Sequence, residues 1–144
     1  MSKIFLDSNL LVAIFMQSDP NHLRVSIWLK EQTSGSEFYL SPQVIAETYA
    51  TITSPTKFKN PLTPEQAKTG LLQFLKAKEV NLVPIGKKAL ESALEASAET
   101  GKRARQFFDL LIWGTMKEHK IKILATFNAR DFQLLPGIKL IAPG

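Results

Sequence analysis

Short apolar runs alternate along this chain with segments of helical length, and that alternation restricts the fold more than any other feature. "KIFL" (Lys3 to Leu6), "EFYL" (Glu37 to Leu40), "NLVPI" (Asn81 to Ile85), "KILAT" (Lys122 to Thr126) and the weaker "IKLIA" (Ile138 to Ala142) read as strands. Between them, helical spacing or start and stop signals mark Ser8 to Met16, His22 to Gln32, Ser41-Pro42 to near Ser54-Pro55, Thr63 to about Ala77, Lys87 to Thr100 and about Phe107 to His119. Ser41 and Thr63, each followed by proline, are expected N-caps, and Gly101 is an expected stop. Strands that take turns with helices predict an α/β fold with a mainly parallel sheet.

A chain of 144 residues has room for one domain and hardly for two. Lacking cysteine, it has no disulfide, thiolate zinc site or catalytic thiol. "LLVAIFM" could pass for the apolar part of a leader, but Asp7, Ser8 and Asn9 interrupt the approach and Asp19-Pro20 stands where small residues should mark cleavage. No apolar run approaches the roughly 20 residues of a membrane span, so a soluble, cytoplasmic protein is expected. A net charge of +5 leans weakly towards a polyanionic partner.

Ligands of open parallel sheets bind beyond the carboxyl ends of the strands, which directs attention to acids placed there. Asp7 follows the first strand, where it can cap the next helix and keep one carboxylate oxygen free. Glu47 lies in "VIAETYATI" on the helix after the second strand. Asp131 follows "KILATFN" and could equally be a turn residue. Asp109, inside "FFDLLIW", is flanked by apolar residues and expected to be buried, hence either ion-paired to Arg103 or Arg105 or bound to a metal. Four carboxylates gathered at one edge would repel unless cations joined them, and hard oxygen donors select Mg²⁺ or Mn²⁺. Such a cation supports phosphodiester hydrolysis.

Other charged residues have plainer readings. Glu91, Glu95 and Glu99 with Lys87 and Lys88 make a solvated helix face, and Glu118 is expected at the surface. Lys102, Arg103, Arg105 and Arg130 are candidate nucleic-acid phosphate contacts near the acids, while Lys57 and Lys59 read as loop residues. Phe58 could stack on a base or pack, and His22 and His119 read as structural.

The stretches "FLDSNLLVAIF", "LSPQVIAETYATI" and "FFDLLIWGTMKEHKIKILATFNARDF", with their ordered Asp, Glu, Asp and Asp, resemble the PIN domain, in particular the VapC-type toxins of toxin–antitoxin pairs. That resemblance implies a three-layer α/β/α fold and a Mg²⁺-dependent endoribonuclease, usually a homodimer, held in check by a small antitoxin. It assigns Asp7, Glu47, Asp109 and Asp131 to the metal site, with Asn9, Thr126 and Asn128 as supporting polar residues. Some relatives carry Asp at the position of Asn128, so one or two ions are left open. The rivals are an RNA-binding relative with little catalysis, or a Mg²⁺-dependent phosphoacceptor or phosphatase domain. The latter would want Asp where Asn9 stands, or further acids after a central strand.

Overall fold

The computed structural model describes residues 1–144. Its strands are β1 (Ser2–Leu6), β2 (Ser36–Leu40), β3 (Val80–Leu82), β4 (Ile123–Ala125) and β5 (Lys139–Ile141). Its helices are α1 (Ser8–Phe15), α2 (His22–Gln32), α3 (Pro42–Ile52), α4 (Pro64–Leu75), α5 (Lys87–Thr100), α6 (Gln106–Glu118) and α7 (Ala129–Phe132). All five strands join one sheet in the order β3-β2-β1-β4-β5, and every pairing is parallel. The expected mainly parallel sheet is therefore wholly parallel. Consecutive residues Ile4, Phe5 and Leu6 of the central strand are all buried although they alternate faces, so helices cover both sides.

Differences from the sequence reading have local causes. The third strand is Val80–Leu82 rather than Asn81 to Ile85, because Val83 makes the last ladder-type bond, to Leu40, and Pro84 has no N–H to continue it. Thr63 caps α4 through a reciprocal box with Gln66. Ser41 occupies the N-cap position of α3, but its buried hydroxyl bonds to no main-chain N–H of the helix.

α5 and α6 pack very closely. A Cβ at Gly114 would stand 2.4 Å from the main-chain oxygen of Ala89, so no larger residue fits without separating the helices. Glu118, expected at the surface, instead receives the N–H groups of Gly86 (3.0 Å) and Ala89 (3.3 Å), where a carboxylate meets the positive end of α5. His119 bonds the Pro84 carbonyl and His22 that of Ala13, both structural roles. Phe58 packs against the smaller apolar cluster built on Ile52, Ala67 and Leu71.

Candidate functional site

The strand order reverses direction at β1: β2 and β3 continue on one side, β4 and β5 on the other. A crevice must open between the chains leaving β1 and β4 at their carboxyl ends, the position where open α/β sheets take ligands. Asp7 stands on one wall of it and Thr126 on the other.

The two walls are bonded together. The Asp7 main-chain N–H donates to Ala125 (3.1 Å), extending the β1–β4 ladder by one step. One Asp7 carboxylate oxygen accepts from the Ser8 N–H (2.8 Å), capping α1 as expected. The other is not free: Oδ2 accepts from the Thr126 hydroxyl at 2.8 Å. Thr126 Oγ1 in turn accepts from Asn9 Nδ2 (3.3 Å) and the Asn128 N–H (3.0 Å). Asn9 Oδ1 accepts from the Phe127 N–H (3.3 Å). Asp7 and Thr126 are only 5% and 1% exposed, so this network fixes the deepest carboxylate of the crevice. Asn128 joins by its main chain, with its side chain in solvent.

Glu47 reaches the same place from α3. Ser8 Oγ donates to its Oε2 (3.2 Å) and Gln43 Nε2 to its Oε1 (2.8 Å). Gln43 also donates to the Phe108 carbonyl of α6 (2.9 Å), so one amide ties Glu47 to the turn that carries Asp109. Gln43 was missed in the sequence. Its signal is the i, i+4 spacing to Glu47 on α3, too common to single out unaided.

Asp109 departs from expectation. It is half-buried rather than buried, and neither Arg103 nor Arg105 pairs with it; the chain's lysine–glutamate ion pairs are Lys68–Glu65 and Lys87–Glu91, and the His119 ring contacts Glu118. The buried stretch of α6 starts one residue later, at Leu110, because its first turn projects past the sheet edge. α6 leads into β4, so that first turn reaches the carboxyl edge before the helix runs back under the sheet. The fully enclosed acid is Asp7.

Asp131 lies on the exposed side of α7, just past β4. Of the four proposed basic contacts, Lys102 alone touches this region, donating from Nζ to the Asp131 carbonyl at 2.7 Å. Arg103 folds back on the Gly101 carbonyl, and Arg105 and Arg130 stand in solvent.

The four carboxylates share one electrostatic field. Burial pushes the Asp7 carboxyl above its usual range; the Thr126 and Ser8 bonds pull it back, and the charges of Glu47 and Asp131 push it further up. Asp109 is pushed up to about 7, by partial burial first, then by Asp131, Asp7 and Glu47, with Lys102 opposing. As the side chains stand, no three acidic or imidazole groups close on a single point as a ready-made ligand set. The donor set still fits a hard divalent ion: four mutually repelling carboxylates, none in an ion pair, suit a Mg²⁺ that keeps several waters and takes few direct protein ligands.

Known proteins give a consistent picture. No curated protein sequence matches the chain. Among solved structures, the VapBC2 complex of Rickettsia felis bound to a promoter DNA fragment aligns with TM-score 0.71 and 19% identity over 99% of each chain. VapC20 of Mycobacterium tuberculosis, a toxin that cleaves the sarcin-ricin loop, aligns with TM-score 0.71 and 16% identity over 90% of this chain and 93% of that one. DNA-bound VapBC from Salmonella typhimurium aligns with TM-score 0.69 and 20% identity over 99% and 98%. At these identities the likeness is one of fold. The sequence model of the PIN domain matches residues 4–137, nearly the full length, and the chain belongs to the PIN domain family.

Proposed function

We propose that residues 1–144 form a single nuclease domain that hydrolyses RNA phosphodiester bonds with Mg²⁺ or Mn²⁺, as the toxin of a type II toxin–antitoxin pair. The reading rests on one observation above all: Asp7, Glu47, Asp109 and Asp131 come from four separate elements, yet stand close enough at the sheet's switch point for the charges of Glu47 and Asp131 to raise the proton affinity of both Asp7 and Asp109. Structural carboxylates are normally spread apart or paired with cations. A cluster kept unpaired at a ligand edge is an arrangement whose repulsion a divalent ion relieves.

Asp7 and Glu47 are the preorganised pair, since each carboxylate has both oxygens held by hydrogen bonds from fixed groups. Asp109 and Asp131 are the adjustable pair at the rim, one half-buried and one exposed. These four would hold one or two ions, with Asn9, Thr126 and Asn128 as the framework of the crevice. When bound, the cation supplies an acidified water and charge to balance the phosphate. In this reading the partners are RNA, a cognate antitoxin and a second copy of the chain, and the protein acts in the cytoplasm. No helix is long and apolar enough to cross a membrane.

A phosphoacceptor domain of the receiver type is disfavoured, since that class has strand order 2-1-3-4-5 against β3-β2-β1-β4-β5 here. The test is cleavage of a defined RNA mixture by the purified protein in Mg²⁺, Mn²⁺ or EDTA, with Asp7→Asn and Asp109→Asn beside the wild type. Metal-dependent cleavage lost in both variants supports the reading. Cleavage that survives EDTA or both substitutions overturns it, and metal-independent RNA binding without cleavage assigns the chain to a non-catalytic branch. For the toxin role, expression should arrest growth, and a small neighbouring reading frame should relieve the arrest.

A further inference from the structure

Lys102 sits at a corner built with unusual care for a surface lysine. Gly101, at φ +77°, ends α5 in the left-handed conformation that glycine adopts without strain. The Lys102 N–H donates to Thr100 Oγ1 (3.2 Å), and its carbonyl accepts from Ser97 Oγ (2.7 Å). Main chain on both sides of the residue is thus tied to the last turns of α5. From this fixed base the side chain crosses to α7 and gives a 2.7 Å charge-assisted bond to the Asp131 carbonyl. The ammonium enters no ion pair, and the N–H it does engage goes to main chain rather than to a carboxylate.

α7 needs such a hold. It has four residues, too few to be stable alone, and its inner contact is the single buried Phe132. Asp131, next to Phe132, is exposed, and its N–H makes a turn bond to the Asn128 carbonyl.

We propose that Lys102 is a positioning residue: its ammonium pins the Asp131 main chain to the α5–α6 corner, setting where the Asp131 carboxylate stands among the other three acids. This rests on the acidic cluster being the reactive centre, and it reassigns Lys102 from the RNA contact that its place in the sequence suggests. The Lys102 ammonium already spends one N–H on main chain of α7, whereas Arg103, Arg105 and Arg130 remain outside the network.

The test compares Lys102→Met and Lys102→Arg with wild type by hydrogen–deuterium exchange in metal-free buffer and by RNA cleavage kinetics. Loss of one charge-assisted bond should speed exchange of the α7 amides by about ten-fold in Lys102→Met, with near wild-type protection in Lys102→Arg. Displacing Asp131 should lower kcat by about ten-fold while KM for RNA stays within about two-fold, and Arg should restore most of it. Unchanged α7 exchange in Lys102→Met overturns the proposal, as does faster exchange with unaltered kcat. A raised KM with a weaker salt dependence and undisturbed α7 would make Lys102 a phosphate contact instead. Should the wild type cleave no RNA, the nuclease reading fails separately, and the exchange data still decide whether Lys102 holds α7.

Discussion

Removing Asp109 should stabilise the metal-free protein above neutral pH, the reverse of what deleting a well-bonded polar residue does. The Asp109 carboxyl is raised from 3.8 to about 7 in the folded chain. The folded state therefore binds that proton more tightly than the unfolded state, and between pH 4 and 7 it carries the extra proton. The sign follows: this group's contribution to stability is most favourable below about pH 4, falls as pH rises, and settles at its worst above about pH 7. At 1.36 kcal/mol per pH unit the full gap corresponds to ~4 kcal/mol. Asp109 is only half-buried, so solvent screening reduces the expected effect to about 1–2 kcal/mol. The bonds that shape the site are made by Asp7, Glu47, Gln43 and Thr126, so Asn at position 109 forfeits none of them. Asp109→Asn should raise Tm by about 2–8 °C at pH 8 in EDTA and leave it nearly unchanged near pH 4. Mg²⁺ should then stabilise the wild type more than the variant, closing the gap. Urea or thermal melts at the two pH values measure this directly. A variant less stable than wild type at pH 8, or one with equal gains at both pH values, would refute the electrostatic account of the cluster.

Three further perturbations follow from particular contacts. Thr126→Val keeps the side chain's shape but strips Asp7 Oδ2 of its donor and Asn9 of its acceptor, so urea melts at pH 7 should show a loss of about 1–3 kcal/mol, with Thr126→Ser recovering most of it. Gln43→Leu frees one oxygen of Glu47 and uncouples α3 from Phe108; cleavage should slow about ten-fold while RNA affinity from a filter or anisotropy assay barely moves. Gly114→Ala forces a methyl against the Ala89 carbonyl, and calorimetry should show about 1–3 kcal/mol lost as α5 and α6 separate.

The sheet was legible in the sequence because its strands are short apolar runs set between helical segments, and the first two are also marked by the cap or turn that closes them. β1 ends at an N-capping aspartate, β2 at Ser41-Pro42 and α4 opens on a capping box, all local signals. Strand order was not legible, since it depends on which crossovers pack best rather than on any one segment. The same limit hid Glu118, whose role as a cap for α5 depends on a partner 32 positions away in the chain. The bonds of Gln43 to α6 and of Lys102 to α7 were opaque for a related reason: each goes to a main-chain carbonyl distant in sequence, and carbonyls carry no sequence identity.

The exchange of roles between Asp109 and Asp7 is the instructive case. Apolar neighbours along a helix report burial only where the helix lies over the sheet, and the first turn of α6 overhangs it, which leaves Asp109 half-exposed despite Phe107, Phe108, Leu110 and Leu111 around it. Asp7 has polar neighbours in Ser8 and Asn9, yet both walls of the crevice close over it, because β1 lies at the centre of the sheet and its neighbour β4 pairs with it up to Leu6, the residue before Asp7. Central-strand ends are the deepest points of such a sheet, so an acid there meets the highest desolvation penalty and requires the most hydrogen bonds. Asp7 receives them from Ser8 and Thr126. Depth therefore makes Asp7 the rigid member of the cluster, and overhang makes Asp109 the responsive one. In the proposed metal site, a divalent ion arriving from solvent would meet Asp131 and Asp109 at the rim first, the latter with a charge that adjusts near neutral pH, and only then the carboxylate that the fold holds still.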